Sequence, residues 1–224
     1  MLRDVNMSDI SNGKRYSKED LVRISCNDCK DCSACCKDMG TSIVLDPYDV
    51  YQLTKGIEGD MEALLQGKLE LNVVEGVILP NIVMEKKTNA CGFLSETGRC
   101  SIHDFRPGFC RLFPLGRIYE GGGFSYFHQV KECPYPNKSK IKIKKWLDIP
   151  ELGQYEKFVL SWHDLLRDIR TLLKDSGEEE QKSFNMAVLE MFFIKPYDTN
   201  QPFYPQYYQR HQLIRNAISI GLEG

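Results

Sequence analysis

Long apolar runs are missing from this chain, and with them any stretch of the roughly eighteen residues needed to cross a bilayer. Met1 to Ile10 holds no apolar h-region either, so we expect a cytoplasmic protein. A dominant charge of one sign is also lacking. Charged residues make up 27% of the 224 positions, yet the net charge is −2, which removes any global pull toward nucleic acid or an anionic membrane surface. Neither nucleic acid nor a membrane is therefore expected as a partner. The run Gly121-Gly122-Gly123 lacks the lysine, the hydroxyl and the strand-to-helix setting of a phosphate loop, and it reads as a flexible turn. Histidine is scarce. His128, His163 and His211 have no acid/base partner that the sequence identifies, no Ser/His/Asp or Cys/His arrangement emerges, and no catalytic residue is named. No internal repeat is found.

Cysteine, by contrast, is abundant: nine thiols in a chain long enough to bury a core without cross-links. Four of them form one run, Cys29-Lys-Asp-Cys32-Ser-Ala-Cys35-Cys36. Buried cysteine used as a small hydrophobe has no reason to keep such a spacing, so something is expected to bind there. Cys91, Cys100, Cys110 and Cys133 follow downstream, and Cys26 stands just before the run. Cytosolic reductants disfavour structural disulfides, and nine is an odd number, whereas two four-thiolate groups use eight and leave one over. The spacing C-x-x-C-x-x-C opens the ligand run of bacterial [4Fe–4S] ferredoxins, whose remote ligand is a Cys-Pro, and Cys133-Pro134 has that form. One division puts Cys29, Cys32 and Cys35 with Cys133 around one centre, and Cys36, Cys91, Cys100 and Cys110 around a second. Zn2+ is the rival to iron–sulfur, since C-x-x-C knuckles also suit a tetrahedral ion. A four-thiolate centre carries net negative charge, and Arg99, Arg106 and Arg111 are the cations nearest in sequence; Arg106 and Arg111 are read as cofactor-binding.

The pattern along the chain predicts an α+β fold. A polar tail, or a strand added to a sheet edge, covers 1–18; a small irregular cysteine-cluster metal-binding domain with short strands and helices covers 19–148; a helical C-terminal region packed on it covers 149–224. Within these, Thr41 to Leu45 reads as a strand, Asp46-Pro47 starts a helix through Lys55, and Asp60 caps another. Leu69 to Glu85 reads as two short strands, and Cys91 to Cys100 as a hairpin bringing its terminal thiols together across the ladder. Lys138, Lys140, Lys142 and Lys144 alternate along an extended segment. Apolar residues from Leu152 to Leu173 recur at helical steps, Phe184 to Ile194 makes a second helix, and Pro202 and Pro205 interrupt an aromatic segment before a last one.

The run C-x2-C-x2-CC, then C-G-F-L-x4-R-C-x-I-x3-R-P-x2-C-R-x-F-P, then a late Cys-Pro, resembles the CxxCxxCC family of YkgJ-like cysteine-cluster proteins, described as zinc- or iron-chelating domains. The resemblance implies that Cys29, Cys32, Cys35, Cys36, Cys91, Cys100, Cys110 and Cys133 are the family's eight metal-ligating cysteines and that Cys26 is extra. His103 departs from the family, where tyrosine is usual. A similar cluster occurs in flagellin lysine methylases, but this chain has no glycine-rich loop for S-adenosylmethionine, so methylation is not inferred. The expected function is a metal-binding protein with a [4Fe–4S] cluster, or Zn2+, in a structural or electron-transfer role with a redox or protein partner. The alternatives are a partner-binding module or a redox or protein-modifying enzyme, with Tyr197, Asp198, Tyr204, Tyr207, Tyr208 and Arg210 as a pocket. No oligomeric state is assigned.

Overall fold

A computed structural model describes residues 7–26, 32–57 and 59–223. The fold is α+β, as the patterning predicts, and its described strands form three separate two-stranded antiparallel sheets. Short α1 (Met7–Ile10) leads into isolated bridges from Ser11 to Gln129 and from Tyr16 to Tyr126, so this segment lies along a sheet edge. Strand β1 (Leu21–Ser25) pairs with β6 (Ser139–Lys142) and thereby ties the start of the chain to a point far downstream.

Between those two strands lies the cysteine segment. Helix α2 (Pro47–Gly56) begins with a capping box in which the side chains of Asp46 and Asp49 each accept from the other's backbone N–H, and Pro47 sits where no N–H is needed. Asp60 caps α3 (Met61–Leu65) by accepting from the Ala63 N–H. Strands β2 (Leu69–Val74) and β3 (Val77–Ile82) join through Glu75-Gly76, both at positive φ, the geometry of a tight hairpin turn. Thr41 to Leu45 does not form the predicted strand and makes a single bridge, Val44 to Asn81. The reason lies in β3: the Pro80 carbonyl accepts from the Leu45 N–H, so its nitrogen faces the same way and has no proton with which to extend the ladder.

Strands β4 (Leu115–Glu120) and β5 (Gly123–His128) follow the short α4 (Gly108–Leu112), and the predicted glycine turn closes them, with Gly121 and Gly122 at positive φ. The lysine run is extended only as far as β6. Ile143 and Leu147 are fully buried, and that burial at a helical step winds 143–147 into α5 (Ile143–Leu147).

Helix α6 (Leu152–Lys174) buries the predicted stripe from Tyr155 through Phe158, Trp162, Leu165 and Ile169 to Leu173. Helix α7 (Glu178–Leu189) starts earlier than its apolar pattern implies, because Glu178, Glu179 and Glu180 suit the positive end of a helix. Its continuation, Glu190–Ile194, is wound as a π-helix. Helix α8 (Phe203–Glu223) absorbs the aromatic segment instead of following it, since Pro205 falls in the first turn, where a missing N–H costs little. Tyr204 and Tyr207 are therefore core residues, 6% and 0% exposed, and not walls of the predicted pocket. Buried Arg210 donates to the carbonyls of Met191, Lys195 and Pro196 and lies 3.7 Å over the Tyr197 ring, satisfying the end of the π-helix. One continuous apolar core runs from Val22 to Ile218. Among the described residues no helix is long and apolar enough to cross a membrane.

Candidate metal centre

The vicinal pair Cys35-Cys36 closes a single 3-10 turn, Ala34–Cys36. Its exit is stitched to the second cysteine segment: the Cys91 N–H donates to the Cys36 carbonyl at 2.7 Å, and the Asp38 N–H to the Asn89 carbonyl at 2.8 Å. Residues 91–100 then fold back with Ser95 N–H donating to the Arg99 carbonyl, but the register sets Leu94 opposite Cys100. Cys91 is thus not across the ladder from Cys100, because its N–H is already committed to Cys36. Burial raises the pKa of both thiols, and at Cys91 the nearby Cys100 adds to the effect. At Cys100 the charges of Arg106 and Arg99 oppose it.

Cys110 is delivered by α4. The Asp49 carboxylate accepts from the Gly108 N–H at 2.7 Å, which locks the first turn of α4 against α2. Glycine is required there, since an added Cβ would run into the Tyr155 hydroxyl. Arg111 donates to the carbonyls of Arg106, Asp148 and Asp104, so its guanidinium holds the loop that carries Cys110. Arg106 faces the thiols, within 2.6 Å of the His103 ring.

The strands and turns together surround a cavity of about 30 Å³ whose wall carries Cys26, Cys32, Cys35, Cys110 and Cys133 beside Arg106. Trp146 closes one side, donating its ring N–H to the Phe113 carbonyl. Burial pushes the Cys110 thiol well above its ordinary range, and Cys91, Asp49, Cys100 and Cys35 push in the same direction. Cys110 thus lines the cavity and also feels the charges of Cys91 and Cys100. Of the predicted first set, Cys32, Cys35 and Cys133 share the cavity; Cys29 lies outside the described residues. Cys110, assigned by the sequence to the second set, lines this cavity as well. Among the described residues no three Cys, His, Asp or Glu side chains form a ready-made metal-ligand group. The donor set nonetheless fits a thiophilic metal: five thiols and one guanidinium on a single wall, with no carboxylate among them.

Two positions went unassigned by sequence reasoning. Cys26 is buried on the cavity wall. Strict alternation through Val22 and Ile24 was the available signal, since it continues inward to 26. Asp49 is legible as the partner of the Asp46 cap, but no local pattern announces its bond to Gly108, 59 residues away.

Thiols from three separate stretches of chain, 26–35, 110 and 133, line one cavity, the pattern of a cysteine-cluster protein. Residues 28–134 match the model of the CxxCxxCC family, described as a "putative zinc- or iron-chelating domain". No curated protein and no solved structure matches the chain.

Proposed function

We propose that the chain binds a [4Fe–4S] cluster through its clustered cysteines and uses it in a structural or electron-transfer role. The observation that carries this reading is the shared wall of Cys32, Cys35, Cys110 and Cys133 beside Arg106, a cation able to offset the charge of a four-thiolate centre. A Cys-Pro contributes the remote thiol, as the ferredoxin-like spacing leads one to expect. Trp146, Phe113 and Pro114 line the site beside the thiols, an apolar setting that supports a structural or electron-relay role. A reducing compartment such as the cytoplasm belongs to this reading, because thiols there stay available to a metal.

A cluster when bound would supply one-electron redox chemistry; the chain's own part is to supply thiolates, exclude water and hold Arg106 nearby. Anaerobic purification followed by iron, sulfide and zinc analysis tests the proposal. Brown protein absorbing near 400 nm with matching iron and sulfide is the expected result, and colourless protein holding stoichiometric zinc would overturn it. Zinc is the second reading, favoured by the backbone bond from the Cys91 N–H to the Cys36 carbonyl, which ties the two cysteine segments together.

A further inference from the structure

The family match begins at residue 28, so Cys26 lies outside it. Its side chain is only 3% exposed and lies on the same wall as Cys32, Cys35, Cys110 and Cys133. Two features put it there. Along β1 the inward positions are Val22 and Ile24, and the alternation carries on to 26. Strand β1 also pairs with β6 in a register that sets Ser25 against Ser139. The turn before β6 is tied at both ends: Lys138 donates through Nζ to the Cys133 carbonyl at 2.6 Å, and Arg23 donates to the Lys138 carbonyl at 3.1 Å. The ladder that holds Cys26 therefore also holds Cys133.

A cysteine acting as a small hydrophobe would fit an inward strand position equally well. What distinguishes this one is that four other thiols and a guanidinium line the same cavity, alongside apolar groups such as Phe113 and Trp146. Cys110 lines the same cavity. Cys26 therefore shares one cavity with four other thiols, Cys32, Cys35, Cys110 and Cys133, a donor set that suits a thiophilic metal.

We propose that Cys26 is a metal ligand at the cavity it shares with Cys32, Cys35, Cys110 and Cys133, supplied from outside the matched domain. The inference rests on the metal-binding reading above. Each bond forms by exchange of a proton for the metal: the thiol releases H+ to water as sulfur donates its pair to M2+, and no oxidant or reductant takes part.

The full chain, loaded with Co2+ alone, gives the test. Thiolate-to-cobalt charge-transfer absorption grows with the number of bound sulfurs, and competition with a chelator reads affinity. Cys26→Ala and Cys26→Ser are expected to lose charge-transfer intensity and to hold cobalt at least about tenfold more weakly, as Cys133→Ser does. A folded Cys26→Ala protein with wild-type intensity and affinity would overturn the proposal and leave Cys26 as a core residue. Unchanged cobalt binding by Cys133→Ser would instead overturn the metal-binding reading itself. If neither Cys26 variant folds, cysteine-labelled wild-type protein answers the same question by NMR. The Cys26 Cβ resonance should move to the metal-thiolate range on adding Zn2+, and a resonance that stays put would refute the idea. Cys29→Ser, run alongside, reports which of the two early thiols contributes more.

Discussion

Gly108 and Tyr155 give the sharpest expectation at the level of single residues. Gly108→Ala drives a methyl into the Tyr155 hydroxyl and should cost about 1–3 kcal/mol, with weaker metal retention, because α4 carries Cys110. Tyr155→Phe introduced into the same chain should recover most of that loss, as read by thermal midpoint and metal content together. Cys110→Ser should lower bound metal by roughly half or more while leaving far-ultraviolet dichroism intact, since its thiol lines the cavity with Cys32, Cys35 and Cys133. The sequence makes the thiols legible because their spacing has no packing explanation. It leaves Gly108 illegible in this role, because Pro-Gly reads as a turn and the clash that demands glycine comes from Tyr155 on a distant helix.

Elements rather than residues decide the behaviour of α2 and α8. Burial raises the Asp46 carboxyl well above its usual range and pushes Asp49 up to about 6, against an ordinary 3.8. Because the folded value lies above the unfolded one, folding binds protons between those two values. The resulting stability is fully present below about pH 4 and is lost as pH rises through about 6. Urea unfolding between pH 4 and 7 should therefore show a falling limb. Asp49→Asn, which keeps an acceptor for Gly108, should flatten that limb by up to ~1.4 kcal/mol per pH unit. At the other end of the chain, Arg210→Ala strands the Met191, Lys195 and Pro196 carbonyls and should cost about 2–4 kcal/mol with metal content unchanged. Helix α6 was readable from its stripe alone. The π-helix at 190–194 was not, since the guanidinium that satisfies its carbonyls comes from Arg210 on α8 and no local spacing encodes that.

For the whole molecule, the core continues without a break from the cysteine segment into the C-terminal helices. Trp146 lines the sulfur cavity, and Trp162 packs 5.0 Å from Phe192 in the helical layer. Single-tryptophan variants, Trp146→Phe and Trp162→Phe, should report one shared midpoint in urea by fluorescence, and two well-separated midpoints would mean that the layers unfold independently. The α+β class was visible in the patterning because short β-branched stretches precede long helical stripes. The pairing of β1 with β6 was not, since nothing local in Leu21 to Ser25 selects a partner beyond the whole sulfur-rich segment.

That pairing sets a clock on biosynthesis. At the usual pace of a ribosome, about 5–20 residues per second, the strand ending at Ser25 waits of the order of ten seconds for Ser139 to emerge. Throughout that delay the early thiols hang from a nascent chain with their enclosure unmade. Only when β6 emerges does the ladder bring Cys133 alongside them.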